Sequence, residues 1–245
     1  MFRVDKKILY ALLGIMIFNI LINCINNKNN AISTLLIIPA VLIAITFHEF
    51  AHAYAAYKLG DDTAKRQGRL NLNPLSHIDP FGFIMLLTIG IGWGKPVQVD
   101  SRNFNRNMSQ SKAEAIVSIA GPIMNFIVAI VFAIIYGCIL KFGWFTGLSL
   151  EAYYYILTVF NYIIVLNIGL GVFNLIPLPP LDGSKVIKHF LPIKARMWFE
   201  QNESIFYIVF IIIWITGIAG SIITPIISFI GGGIMQLISL VFKLQ

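Results

Sequence analysis

The sequence predicts an all-α polytopic membrane protein with about six transmembrane helices. Between the second and third helices it predicts an insertion that holds a small β-sheet and a re-entrant segment. Of the 245 residues, 58% are hydrophobic and 12% are charged, which lies well outside the composition of soluble proteins. Several apolar runs are long enough to cross a hydrocarbon core about 30 Å thick. We therefore expect a multi-pass protein of the cell membrane that is embedded in the lipid bilayer.

Six apolar runs are the candidate spans. They comprise residues 8–25, 33–57, 113–140, 153–176, 205–220 and 222–242. The first run follows three basic residues, as in a signal peptide, but no small-residue cleavage site comes after it, so we expect it to be retained. The last two runs come from one uncharged stretch between Glu203 and Lys243 that is too long for a single crossing. We expect residues 220–225 to break this stretch, since they include Gly220 and Pro225.

The distribution of Lys and Arg predicts that both termini are cytoplasmic. Short cytoplasmic loops carry an excess of these residues. With the N-terminus inside, 16 of the 18 Lys and Arg residues fall on the inner side, and only Lys28 and Lys141 fall outside. The net charge of +7 is thus spread over the loops between apolar spans and is not gathered in one stripe. It indicates topology, and no nucleic-acid partner is implied.

The run His48-Glu49-Phe-Ala-His52 lies in the second predicted span. Residues four apart share one face of a helix, so the imidazoles of His48 and His52 can bind one metal ion while Glu49 holds a water molecule. Residues 31–47 carry no charge, and residues 33–47 alone cover about 22 Å of the hydrocarbon core. Ionisable groups at such a depth are costly and usually functional. The motif therefore predicts a zinc site inside the membrane, nearer its cytoplasmic face.

A third ligand must be sought away from this motif, because catalytic zinc usually has three protein ligands. The positions where a soluble three-histidine motif would continue hold Ala55 and Lys58. Asp182 is the best candidate, since it follows a proline-rich, non-helical stretch at the inner end of the fourth span. Gly183 after it allows a tight turn that can aim the carboxylate at the membrane interior.

Other roles for the acidic residues remain open. Asp182 can instead cap the helix that begins at Ser184. Glu114, in the first turn of the third span, is a competing ligand, although an acid at that position ordinarily compensates the helix dipole. Asp79 precedes a proline and favours closing a turn.

The insertion between the second and third spans, residues 58–112, is not a simple loop. Residues 66–73 and 95–100 have the alternation of short strands, whereas residues 81–91 are apolar but too short to cross as a helix. We expect a small sheet and a re-entrant or hairpin segment here. The extended segments at residues 69–73 and 95–99 can pair with an unwound substrate by strand addition, or they can form a packed cap over the site.

Four motifs occur in a fixed order between residues 35 and 185. They are His48-Glu49-Phe-Ala-His52, the run Asn73-Pro-Leu-Ser-His-Ile-Asp-Pro-Phe-Gly82, Gly121-Pro122 with Asn125, and the run from Asn174 to Asp182-Gly183. Together they resemble the site-2 protease family of intramembrane zinc metalloproteases. The chain resembles the short branch of that family, since neither a PDZ-like domain nor a nucleotide-sensing domain has room in it.

The resemblance implies one zinc ion per chain, held by His48, His52 and Asp182. It also implies that Glu49 is the general base and that Asn174 lies near the reacting carbonyl. We therefore expect a zinc metalloendopeptidase that cleaves membrane proteins within or near their transmembrane segments. A metal-ion carrier and an inactive scaffold that binds membrane helices remain the alternatives.

The sequence divides into three parts. Residues 1–32 hold the first span and an outer loop, residues 33–185 form the catalytic membrane core, and residues 186–245 hold an amphipathic surface segment and two C-terminal spans. The substrate, the oligomeric state and the roles of His77 and Asn125 remain open.

Overall fold

The structure is a computed structural model that describes Gly14, residues 28–89 and residues 92–244. The α-helices in these residues are α1 (Lys28–Lys58), α2 (Thr63–Arg66), α3 (Pro74–His77), α4 (Pro80–Ile89), α5 (Gln110–Phe142), α6 (Leu150–Asn174), α7 (Asp182–Phe190), α8 (Ile193–Gln201), α9 (Glu203–Ile215) and α10 (Ile218–Phe242). A 3₁₀ turn at Ser101–Asn103 precedes α5. The predicted all-α membrane class is confirmed for this part of the chain. The predicted first span, residues 8–25, lies outside the described residues apart from Gly14.

Four of the described helices, α1, α5, α6 and α10, are long and apolar enough to cross a membrane. The pair α8 and α9 is bent by 66° and gives a fifth span if it is counted as one. The predicted number of six is therefore not supported by residues 28–89 and 92–244.

The last two predicted spans divide at a different place from the one expected. The break lies at Thr216 and Gly217, before the predicted residues 220–225, because Gly217 adopts a left-handed backbone with φ +76°. Pro225 lies inside α10 and does not end it. The 13-residue helix α9 covers only about 20 Å, so it does not cross a membrane by itself.

The centre of the fold is the contact of α1, α5 and α6. Ala40 of α1, Val128 of α5 and Ile163 of α6 are all buried in one cluster. A second cluster joins α5 and α6 to α10 through Ala129, Ala133 and larger apolar residues. Small side chains let membrane helices approach closely enough for van der Waals packing. This packing holds α1, α5 and α6 side by side.

The prediction of a small sheet in the insertion is wrong. Residues 66–73 and 95–100 form no strand in the structure, and the pairing found in the described insertion is an isolated antiparallel bridge between Ile78 and Gly94. The asparagines of the alternating run explain the difference. The Asn71 side chain bonds the backbone at Gly68 and Asn73, and the Asn73 side chain accepts from Leu75 N–H at the start of α3. Such local side-chain bonds compete with a β-ladder.

The Arg69 side chain joins the backbone segments that a β-ladder would have paired. Its buried guanidinium donates hydrogen bonds to the carbonyl oxygens of Ser76, Lys95 and Pro96. A planar guanidinium has five N–H donors and can therefore join several backbone segments at once. The two segments predicted to be paired strands are thus joined by one side chain. Between them, the apolar stretch forms the 10-residue helix α4.

Asp61 fixes the start of the insertion. Its fully buried carboxylate accepts hydrogen bonds from Thr63, from the Asn103 side chain and from Asp100 N–H. Burial alone would raise the pKa of this carboxyl, but the hydrogen bonds outweigh burial and lower the pKa below 3.8. Asp61 therefore ties the end of α1 to the turn that leads into α5.

Replacing Asp61 by Asn is expected to lower the free energy of unfolding by about 1–3 kcal/mol, because an amide group would face the donors that surround the carboxylate. The lowered pKa sets the direction with pH. The stabilisation by the ionised group is complete above pH 3.8 and is lost as the pH falls through the lower folded-state pKa. Thermal unfolding in detergent at several pH values measures both effects.

Asp62→Asn, at a more exposed acid paired with Arg66, is the control, and its free energy of unfolding should stay within about 0.5 kcal/mol of the wild-type value. Equal destabilisation by both variants would contradict this account.

Candidate metal centre

The candidate site begins with two histidines of α1 that face α5. His48 and His52 lie one helical turn apart, and both are buried. Their Nε2 atoms approach to 3.0 Å. Because the four-residue spacing places both rings on one side of the helix, the two nitrogens converge on a single point.

Asp182 reaches the same point from the other side of the bundle. After α6 ends at Asn174, the chain passes through three prolines and enters α7 at Asp182. The Asp182 Oδ2 atom lies 3.2 Å from His48 Nε2 and 3.0 Å from His52 Nε2. The N-cap position of α7 belongs to Leu181, so the carboxylate faces the histidines and is not a helix cap.

The Nδ1 atom of each imidazole has a buried hydrogen-bond partner. His48 Nδ1 lies 2.7 Å from Asn125 Oδ1, and His52 Nδ1 lies 2.7 Å from the carbonyl oxygen of Val117. A carbonyl oxygen only accepts, so His52 carries its proton on Nδ1. Asn125 donates through Nδ2 to the carbonyl oxygen of Ala44, which turns its own oxygen toward His48. Both rings therefore carry a proton on Nδ1, and in the neutral imidazole, the form that binds a metal, this leaves a lone pair on Nε2.

Three lone pairs thus face one another in a buried pocket, two from imidazole nitrogens and one from a carboxylate oxygen. Without a cation they would repel one another and remain unpaired, which is costly away from water. Tetrahedral zinc with bonds of about 2.0–2.1 Å places its ligand atoms about 3.3 Å apart. The observed separations of 3.0 to 3.2 Å approach this value. The donor set of two imidazoles and one carboxylate also suits zinc. The residues present therefore fit the metal.

Gly121 of α5 lets the two helices meet at this point. A β-carbon on Gly121 would lie 2.4 Å from His52 Nε2 and 2.7 Å from His48 Cε1, well inside contact distance. The residue that follows is Pro122, which α5 accommodates without a break. The absence of a side chain at Gly121 is thus a condition for the positions of both imidazoles.

Glu49 and Asn174 line the same cavity as the three converging groups, a space of about 1370 Å³. Glu49 Oε2 accepts a hydrogen bond of 2.9 Å from Val97 N–H in the insertion. Asn174 donates through Nδ2 to Leu170 O of its own helix, at 3.1 Å. The structure therefore brings Glu49 and Asn174 to the cavity but not into the cluster of three ligand atoms.

The other candidates from the sequence lie outside the cluster. Glu114 lines the cavity and bonds Gln110, whereas Asp79 accepts from Gly82 N–H at the start of α4, as a turn-closing residue does. The remaining two histidines, which the sequence does not single out as ligands, also lie outside the cluster: His77 is bonded through Nε2 to Asn71 O, and His189 contacts the Ser111 hydroxyl.

Sequence reasoning missed three partners of the site, namely the Val117 carbonyl, the Val97 amide and Asn167. Backbone groups leave no sequence signal. Asn167 did leave one, because it is a polar residue inside a predicted span, and such residues are usually functional. Asn125 was noticed, but its bond to His48 follows only from the packing of α5 against α1.

Comparisons with known proteins give relatives for most of the chain. The model of peptidase family M50 matches residues 36–155 and 144–217. YwhC of Bacillus subtilis is 39% identical over 213 residues, which cover 84% of this chain and 92% of that protein. Rip2 of Mycolicibacterium smegmatis is 28% identical over 73% of this chain and 66% of its own length.

MJ0392 of Methanocaldococcus jannaschii is 26% identical over 71% of this chain and 40% of its own length. The names of all three relatives include the words zinc metalloprotease. No solved structure matches the chain. The family match and the identity to YwhC together show that this chain belongs to peptidase family M50, the site-2 protease family.

Proposed function

We propose that this protein is an intramembrane zinc metalloprotease that hydrolyses peptide bonds within or near the transmembrane segments of other membrane proteins. The observation that carries the proposal is the convergence of three lone pairs, from the buried His48 and His52 and from the half-buried Asp182, beside helices able to cross a membrane. These three residues are the proposed ligands of one zinc ion per chain. The names of the relatives agree with this metal and this activity.

Zinc held by these residues supplies Lewis acidity, which makes water a usable nucleophile near neutral pH. The protein provides the proton transfer. Glu49 is the proposed general base: its carboxylate accepts a proton from the attacking water and then gives it to the leaving amine. Glu49 comes directly after a proposed ligand on the same helix and lines the cavity, so its position follows from that of His48.

The insertion holds the Glu49 carboxylate in one orientation. One oxygen accepts from Val97 N–H, and the loop that carries Val97 is fixed at Lys95 and Pro96 by the guanidinium of Arg69. A base whose side chain is already oriented loses less entropy when the reaction begins. The insertion thus has a defined part in the proposed mechanism although it contains no sheet.

Asn174 is the proposed donor to the oxygen of the reacting carbonyl. Its amide has two N–H groups, and the structure gives one hydrogen bond for them, to Leu170 O. The side chain lines the cavity together with Glu49 and Asp182. A donor at a developing oxyanion typically contributes about 3 kcal/mol to catalysis.

The polar groups of the site lie toward one end of the bundle. His48 precedes the end of α1 at Lys58 by ten residues, or about 15 Å along the helix. The insertion, the first turn of α5, the end of α6 and helices α7 and α8 belong to this same end, and they carry most of the Lys and Arg residues. The positive-inside rule makes this end cytoplasmic in our proposal, with both termini on that side. The site then lies within the bilayer, nearer the cytoplasmic face.

The proposed base is tested by Glu49→Gln. We expect the variant to keep about one zinc ion per chain and to lose turnover of a single-span substrate by a factor of about 10² to 10⁴, because glutamine cannot accept the proton. Zinc analysis and cleavage in liposomes measure the two properties. Glu151→Gln, at the far end of α6, is the matched control and should match wild type in both. Loss of zinc in Glu49→Gln would show that Glu49 has a structural role instead.

The proposed third ligand is tested by Asp182→Ala. Removing the carboxylate leaves two imidazoles, so we expect the zinc content to fall well below one per chain and activity to fall with it. Asp62→Asn, at an acid on the insertion surface, serves as the control for a change of charge. Full zinc occupancy in Asp182→Ala, measured by elemental analysis after dialysis, would exclude Asp182 as a ligand.

Gly121→Ala tests whether the packing of α5 positions the two histidines. The added methyl group would overlap with both imidazoles, so we expect a loss of zinc affinity of at least about tenfold. Gly220→Ala in α10 is the matched control, because nothing lies within 4 Å of the added carbon. Competition with a chelator measures the affinity. An unchanged affinity in Gly121→Ala would mean that the helices separate without disturbing the site.

A further inference from the structure

Asn167 is an amide buried in the middle of an apolar helix. It lies in α6, is 0% exposed, and faces Asn125 of α5, which is also 0% exposed. A buried amide is costly unless its hydrogen bonds are made, and the cost rises where no water can reach. The proposed mechanism gives Asn167 no contact with substrate or metal.

We infer that Asn167 is a positioning residue that holds His48 ready for zinc by acting through Asn125. This inference rests on the proposed function, since it assigns a role toward the proposed zinc ligands. Groups that can only accept force the direction of each hydrogen bond between Asn167, Asn125 and His48.

The directions follow from the backbone carbonyls at each end. Asn167 donates through Nδ2 to Ile163 O, at 2.8 Å, so its own oxygen faces Asn125. Asn125 Nδ2 donates to that oxygen at 2.9 Å and to Ala44 O at 3.1 Å. Both N–H groups of Asn125 are then used, and only its oxygen is left for His48 Nδ1 at 2.7 Å. His48 must therefore carry its proton on Nδ1, and its Nε2 lone pair is free for a metal.

Removing Asn167 would release one of the two bonds that hold the Asn125 amide. Only the bond to Ala44 O would then oppose rotation of the Asn125 amide, and a rotated amide presents an N–H group to His48 Nδ1. The imidazole would respond by moving its proton to Nε2, where a proton prevents metal binding. Partners of this kind typically change metal affinity by about 10-fold to 100-fold.

His52 provides an internal contrast. Its Nδ1 proton goes directly to the backbone carbonyl of Val117, which no side-chain substitution removes. The Asn167 and Asn125 pair therefore acts on one of the two histidines. A role in joining α5 to α6 would affect the stability of the fold, whereas a positioning role changes the metal affinity of a folded protein.

The test compares Asn167→Leu and Asn167→Asp with wild type, with Asn161→Leu as the matched control because Asn161 is an exposed asparagine of the same helix. Zinc affinity is measured by chelator competition on the full-length protein, and the visible spectrum of the cobalt-substituted protein reports the ligand geometry. We expect Asn167→Leu to bind zinc about tenfold more weakly and to change the cobalt spectrum. Asn167→Asp keeps an acceptor for Asn125, so its zinc affinity should lie within about threefold of the wild-type value.

A double-mutant cycle shows whether Asn167 acts through Asn125. In a protein that already carries Asn125→Leu, the further change Asn167→Leu should weaken zinc binding by less than about twofold. Full additivity of the two losses would overturn the inference, as would equal weakening by the Leu and Asp variants. A lower unfolding temperature with unchanged zinc affinity would show that Asn167 only joins the helices. If wild type itself binds no zinc, the proposed function fails, and that outcome is distinct from all the others.

Discussion

The structure depends on one constraint: three electron pairs are held together between apolar helices, and the two that come from imidazoles must be aimed by hydrogen bonds on the opposite side of each ring. The Nδ1 protons of His48 and His52 supply those bonds, to Asn125 and to Val117 O. Each bond reaches α5, so the packing of α1 on α5 and the chemistry of the site are set by the same contacts. Gly121 permits the close approach that makes both bonds possible.

The sequence predicted the parts of this site that depend on local geometry. The four-residue spacing of His48 and His52 fixes one helix face, and the proline-rich stretch before Asp182 ends a helix and frees an acid to turn inward.

The prediction of a sheet failed because an alternating run predicts a strand only if its side chains leave the backbone free. Here Asn71 and Asn73 bond the backbone themselves, and Arg69 joins the segments that strands would have paired. The break at Gly217 was missed because glycine and proline compete as breakers, and a glycine with positive φ ends a helix more firmly than a proline that neighbouring helices accommodate.

The insertion shows how segments without a sheet can be held in place by side chains. Asp61 accepts hydrogen bonds from four donors at its start, and Arg69 donates to three carbonyl oxygens. One buried anion and one buried cation thus satisfy backbone groups that a sheet would otherwise pair. Arg69 binds Pro96 and Asp61 binds Asp100, so the short segment between Pro96 and Asp100 is held at both ends. This segment presents Val97 N–H to Glu49, the proposed base.

Helix α6 contributes to two parts of the site through its asparagines Asn167 and Asn174. Asn167 faces Asn125, which in turn bonds His48, and about two turns further on Asn174 lines the cavity before the chain leads to Asp182. A displacement of α6 along its axis would therefore disturb a histidine and the carboxylate together. The His48 imidazole and the Asp182 carboxylate reach the same point from different helices. Their ligand atoms are therefore correctly spaced only when α1, α5 and α6 are correctly packed. The bundle and the site are consequently expected to form as one unit, with the buried amides of Asn125 and Asn167 fixing the register of α5 against α6.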